Sequence, residues 1–344
     1  MGRSRLKTPG AFLEETIQSQ PDALEKLLRD TPPSSALSRL SGCSRIFLVG
    51  TGTSYHGALV GQYLLRSAGV EAWAILAFEF ANYPPSFKAD DGLVLLSHRG
   101  TKRFSQAALE DFNKDHWLAI TGEDAPLQGP GVVYTVPQER SPVHTASHTA
   151  AMIRLAQLAV ALGSPPWKAE VARVPDAIRS ALGLRTRIVQ ALDRLQFGRV
   201  VHFVGGGPAY ATALEGALKL REASYVSAEG HEVESIFHGP LISVQTEDSL
   251  VMVVQPGASL ERIGELAAAL HEIGAATFAV GPSAGSITAT VQVETPAIDE
   301  LLAPIVNAVP LQWLALELSR RVGVDADSFR KEGRYAAAQT KFSL

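Results

Sequence analysis

The chain contains one of its own segments twice. "IFLVGTGTSYHGALVGQYLL" begins at Ile46 and "VHFVGGGPAYATALEGALKL" begins at Val201. In that register Val49, Gly50, Gly52, Tyr55, Ala58, Leu59, Gly61 and Leu65 meet Val204, Gly205, Gly207, Tyr210, Ala213, Leu214, Gly216 and Leu220. Matching glycines, tyrosines and small residues at a fixed offset mark a duplicated unit. Each copy opens with an apolar strand, a G-x-G turn and a helix.

After each opening, short apolar runs alternate with amphipathic segments. In the first half Ile46–Val49, Ala72–Leu76, Leu93–Leu96, Trp117–Thr121 and Val132–Val136 read as strands, with helices at Tyr55–Arg66, Phe104–Phe112 and Thr149–Leu162. In the second, strands continue at Leu250–Val254, Thr277–Val280 and Thr290–Val293, with helices at Leu260–Ile273 and Ile305–Arg321. Such alternation predicts an α/β class with parallel sheets covered by helices. Residues 1–35 read as a helical lead-in around Pro21, 36–165 as the first unit and 166–196 as a helical connector after "GSPPW". Residues 197–325 read as the second unit, and 326–344 as a polar, basic tail.

A chain of 344 residues has room for about two domains. Its formal charge is −4 without a basic tract, which argues against nucleic acid or an anionic membrane as partner. The lone Cys43 excludes an internal disulfide and a cysteine zinc cluster, and fits a reducing cytoplasm. "MGRSRLKTPG" is basic but no apolar signal core follows it, and no apolar run reaches the roughly 20 residues of a membrane span. The expectation is a cytoplasmic globular protein.

Four stretches carry candidate chemistry. The G-x-G turns aim backbone N–H groups and a helix N-terminus at one point, which suits an anion or simply a tight turn. Gly52 permits the turn, and Thr53 and Ser54 add hydroxyls. Tyr55 and Tyr210 stand where a dinucleotide fingerprint needs its third glycine, so a nicotinamide site is rejected. "SHRGTK", with Ser97, His98, Arg99 and Lys102, follows a strand and reads as an oxyanion site or a solvated turn. In "VHTASHTA", His144 and His148 are four apart, yet no third ligand stands near in sequence, so capping by Thr145 and Ser147 is favoured over a metal. In "ALEGALKLREASY", Glu215, Lys219 and Glu222 share one helix face, either as a solvated ion pair or as part of a site.

The second copy runs on as "ALEGALKLREASYVSAEGHEVESIFHGPL". This resembles the sugar isomerase (SIS) domain family, in the branch that includes the isomerase half of glucosamine-6-phosphate synthase. Ala213–Glu222, Ala228–Glu229 and His238–Pro240 follow the family pattern, and so do "GTGTSYHG", "ETIQSQPDAL" and "NAVPLQWLALELSRRVGVDAD". The resemblance covers nearly the whole chain in order. It implies two SIS units, each a flavodoxin-like three-layer α/β/α sandwich. It implies a phosphosugar isomerase or amino-sugar-phosphate deaminase acting on a hexose or hexosamine 6-phosphate. Glu222 would be the base moving a proton between C1 and C2, tuned by Glu215 and Lys219. His238 would open the sugar ring in the site of a neighbouring subunit, so a homodimer with shared sites is implied. Gly52, Thr53, Ser54, the "SHRGTK" residues, Val143 and Thr145 would bind the substrate. No metal or redox cofactor is expected. A non-catalytic sugar-phosphate-binding protein, or an isomerase or deglycase of another sugar phosphate, is the alternative.

The chain departs from the family at three points. No glutaminase segment is expected in it, because that segment needs a cysteine nucleophile and Cys43 is the one cysteine. The phosphate loop of the family, S-x-S-G-E-T, carries Arg99 and Lys102 here. The imine-forming lysine of the family tail falls on Arg334, which cannot form an imine, and Lys341 substitutes only if the tail curls back.

Overall fold

A computed structural model describes residues 8–110, 112, 115–330 and 332–342. The start of "MGRSRLKTPG" and the last two residues of the tail lie outside them. Ten strands form two sheets. The first contains β1 (Arg45–Gly50), β2 (Glu71–Leu76), β3 (Asp91–Leu96), β4 (Trp117–Thr121) and β5 (Val132–Tyr134) in the order β2-β1-β3-β4-β5. The second contains β6 (Val201–Gly205), β7 (Ala228–Glu232), β8 (Ser249–Val253), β9 (Ala276–Val280) and β10 (Val291–Val293) in the order β10-β9-β8-β6-β7. Every pairing is parallel. Counted within its own unit, each sheet has the flavodoxin-like order 2-1-3-4-5. The duplicated sequence therefore becomes a duplicated topology.

The glycine pairs of the repeat explain the match. Gly52 and Gly207 both adopt φ 56°, with ψ −128° and −129°. Side chains rarely take that backbone shape, so glycine is required at both places. Gly205 serves close packing instead: a Cβ there would lie 2.3 Å from the Ala209 carbonyl oxygen. Gly205→Ala should lower unfolding free energy by about 1–3 kcal/mol, because backbone must move to make room. A Cβ on Gly198 meets nothing within 4 Å, so Gly198→Ala should leave the denaturation midpoint close to the parent's. Equal midpoints for the two variants would remove this account of the turn.

The helix Ala11–Arg29 continues unbroken past Pro21. Proline has no N–H to offer Ile17 O, and the Gln20 side chain donates to that carbonyl instead at 2.9 Å. The start of this helix is capped from the far end of the chain. Asp325 accepts from Gly10 N, and Asp327 from Phe12 N and Leu13 N, at 2.7–2.9 Å. One continuous core joins the units, from Leu13 and Leu48 through Trp167 to Phe203 and Trp313. No described helix is long and apolar enough to cross a membrane.

Strand β7 escapes the sequence reading. "AEGHE" shows neither alternation nor β-branched residues, and pairing with β6 alone makes it an edge strand. Element ends also shift by a few residues. The helix expected at Thr149–Leu162 begins at Ala146, and the strand expected to reach Val136 stops at Tyr134.

Candidate active site

In open α/β sheets, ligands bind beyond the strand ends where the winding reverses. In the first sheet that point lies between β1 and β3, and a cavity of about 430 Å³ opens there. Thr51 to Ser54 line it after β1, and Ser97, His98, Arg99 and Lys102 after β3. His144, Ser147 and His148 come from the start of the helix Ala146–Leu162. The second unit contributes Leu218 and Glu222 from the helix Pro208–Ser224, and the tail contributes Phe329. The equivalent point of the second sheet is crowded: a Cβ on Gly206 would lie 2.5 Å from Ser259 Cβ and 2.9 Å from Val233 Cγ1. The two copies have thus diverged, one forming the cavity floor and the other supplying a carboxylate.

The charged triplet is not a solvated face. Glu215 and Lys219 are 2% and 1% exposed, because their helix packs on the helix Thr53–Ser67 of the first unit. Lys219 Nζ donates to Glu222 Oε2 at 2.6 Å and lies 3.4 Å from Glu215 Oε1. Glu215 Oε1 accepts from Thr53 Oγ1 at 3.1 Å, and Oε2 meets His56 Nδ1 at 2.6 Å. Burial alone would raise the Glu215 carboxyl, but the Lys219 ammonium, with His148 and His56, holds it well below the usual range. Burial would likewise strip the proton from Lys219, and the carboxylates of Glu215 and Glu222 keep it charged above the normal lysine value. The result is a fixed cation under Glu222, whose side chain reaches the cavity.

On the opposite wall, Gly100 takes φ 67° and bends the "SHRGTK" loop. Arg99 and Lys102 both line the cavity, and neither makes an ion pair among the described residues. Burial, with help from Arg99, lowers the Lys102 ammonium. Burial lowers His98 to about 4, with neighbouring His144 adding to the effect. Glu139 is pushed the other way. Its desolvation is overcome by His144 and by hydrogen bonds from Ser147, which bring it down to about 2.

Some expected site residues lie elsewhere. Val143 and Thr145 are buried and do not line the cavity. The Thr145 hydroxyl is used within the protein, lying 3.0 Å from Thr16 Oγ1 and 3.2 Å from Glu139 Oε2, with one proton to donate to either. Arg334 sits exposed on the helix Gly333–Gln339, away from the cavity, and Lys341 is also exposed. Phe329 is the part of the tail that reaches the cavity, and nothing in the sequence marked it. The His238 side chain is 73% exposed and bonds Glu234 Oε1 at 2.8 Å, outside its own chain's cavity. His56 was missed because its partner, Glu215, lies far away in sequence, and Glu139 because its partners are mostly backbone N–H groups, which no side-chain pattern marks.

Residues 199–319 match the SIS domain family. The chain is 29% identical over 332 residues to the glutamine–fructose-6-phosphate aminotransferase of Methanothermobacter thermautotrophicus, covering 92% of this chain and 55% of that protein. It is 29% identical over 348 residues to the Gloeobacter violaceus protein of the same name, covering 93% and 57%. The chain thus spans about half the length of the curated relatives it matches. The C-terminal domain of glucosamine-fructose-6-phosphate aminotransferase from Francisella tularensis superposes with TM-score 0.83 at 21% identity, over 96% of this chain and 100% of that one. Glucosamine-6-phosphate deaminase from Thermotoga maritima superposes with TM-score 0.76 at 19% identity, over 94% and 99%. The fold is that of these two solved structures, residues 199–319 match the SIS domain family, and nearly the whole chain is similar to about half the length of the glutamine–fructose-6-phosphate aminotransferases.

Proposed function

We propose that the chain is a phosphosugar isomerase or amino-sugar-phosphate deaminase, acting on a hexose or hexosamine 6-phosphate by proton transfer between C1 and C2. The observation that carries this reading is the Glu222 carboxylate at the cavity wall, tied at 2.6 Å to a buried ammonium. Aldose–ketose interconversion needs one base beside two adjacent carbons, and a tethered carboxylate meets that need. The cation beside it favours the negative charge that develops on an enediolate. His238 lies outside the cavity of its own chain, which supports ring opening in the site of a second copy within a homodimer. The two cations of "SHRGTK" suit a phosphate or another anionic group of the sugar.

The test is a screen of hexose and hexosamine 6-phosphates, following ammonia release and aldose–ketose exchange. Turnover of at least one supports the reading, and tight binding with no turnover would leave a sugar-phosphate-binding protein. Arg99→Ser combined with Lys102→Thr should weaken affinity for the active sugar phosphate by about 1–3 kcal/mol, the loss expected for a charge-assisted contact. Affinity unchanged across a range of salt concentrations would show that neither charge touches the ligand.

A further inference from the structure

We infer that the cavity holds a divalent transition-metal ion on His98, Glu139 and His144. The donor atoms of these three residues lie within 4.8 Å of one another. Zinc sits about 2.0–2.2 Å from nitrogen and oxygen donors, so small side-chain rotations bring all three onto one ion. The residues come from separate stretches: His98 from the loop after β3, and the other two from the chain entering the helix Ala146–Leu162.

The hydrogen bonding of the imidazoles points to a ligand. A buried neutral histidine ordinarily donates from one ring nitrogen and accepts at the other. Both ring nitrogens of His98 are buried and neither has a hydrogen-bond partner among the described residues. Nδ1 of His144 is in the same position, 3.6 Å from Glu139 Oε1 and beyond hydrogen-bond length. The two rings meet edge to face at 5.3 Å. Gly122 makes room for this arrangement, since a Cβ there would stand 2.9 Å from His98 Nδ1.

Glu139 is held in place by hydrogen bonds. Oε2 accepts from Thr145 N at 2.9 Å and Thr145 Oγ1 at 3.2 Å, and Oε1 accepts from Ser147 N at 2.9 Å and, more weakly, from Thr145 N at 3.2 Å. Such outer support fixes a ligating carboxylate, with Oε1 placed 3.6 Å from His144 Nδ1. Two imidazoles with one carboxylate form a donor set used for zinc and for iron(II), and three protein ligands leave further positions open. Here those positions face the cavity, where an oxygen of a sugar hydroxyl, carbonyl or phosphate would complete the shell. The inference stands whether the chain turns over its ligand or only binds it.

A second cluster, His202, Glu229 and His231, serves as the control. There His202 Nδ1 and His231 Nε2 already satisfy each other at 3.1 Å, and the Glu229 side chain is exposed. The experiment titrates Zn²⁺ into the metal-free full chain by calorimetry. One ion per chain is expected, with micromolar or tighter affinity and a rise in melting temperature. His98→Gln and His144→Gln should each weaken binding at least ~10-fold, a scale already reached by outer-shell changes. His231→Asn should leave binding unchanged. If the two cavity variants fail to fold, X-ray absorption of the zinc-loaded His231→Asn chain keeps the idea testable, and two imidazoles in the first shell are expected. No saturable binding below about 1 mM, unchanged binding in both cavity variants, loss confined to His231→Asn, or a shell with fewer than two imidazoles would each overturn the inference.

Discussion

Glu222→Gln should lower turnover by about 10²–10⁴-fold, the usual contribution of a positioned general base. The exchange keeps side-chain length and an oxygen able to accept from Lys219, which now lies 2.6 Å from the carboxylate. Substrate affinity should therefore stay within roughly tenfold of the parent, so the loss falls on kcat rather than KM. The same variant tests the shared site. Mixed with inactive His238→Ala, it should regain part of the activity, because one site of each heterodimer then has both groups. Full activity of Glu222→Gln alone would move the base elsewhere. Failure of the mixture to recover activity would confine each site to one chain.

Lys219→Met should destabilise the chain by about 3–5 kcal/mol, the cost of stranding one partner of a buried ion pair. The pair is only 1–2% exposed, so water cannot take over the solvation of Glu215. The pH dependence follows from the direction of the shift. In the parent, the folded Glu215 carboxyl is held below its unfolded value. Its stabilisation is present above the unfolded value of about 4.3, and is lost as pH falls toward the folded one. Burial is already the largest single influence on this carboxyl, and without the ammonium that opposes it most, the folded value moves upward. The variant's loss should then be larger near pH 8 than near pH 5, where Glu215 can protonate. Adding Glu215→Gln should recover part of the loss at neutral pH, because an amide needs no counter-charge. Denaturant unfolding at the two pH values checks both points. An equal loss at both would show that Glu215 does not carry the cost.

Much of this protein follows from local sequence. The repeated strand–G-x-G–helix openings dictate two parallel α/β units, because a φ of 56° admits little but glycine at Gly52 and Gly207. The apolar runs from Ile46 and Val201 were legible as strands because both sheet faces bury them, and continuous runs need no pairing information. The helix spacing of Glu215, Lys219 and Glu222 showed that they share a face. It did not show which way the face points, since the same triplet suits solvent. Packing against the helix Thr53–Ser67 decided that, turning a surface ion pair into a buried one with His56 added. Tertiary structure alone also removed Val143, Thr145 and Arg334 from the cavity, drew the Phe329 side chain to it, and formed β7 on the edge offered by β6. The reason is the same in each case: exposure and partnership depend on what the rest of the chain brings alongside. The grouping of His98, Glu139 and His144 is the clearest instance. The visible spacing paired His144 with His148, while the donor atoms that meet come from loops that only the folded sheet places together.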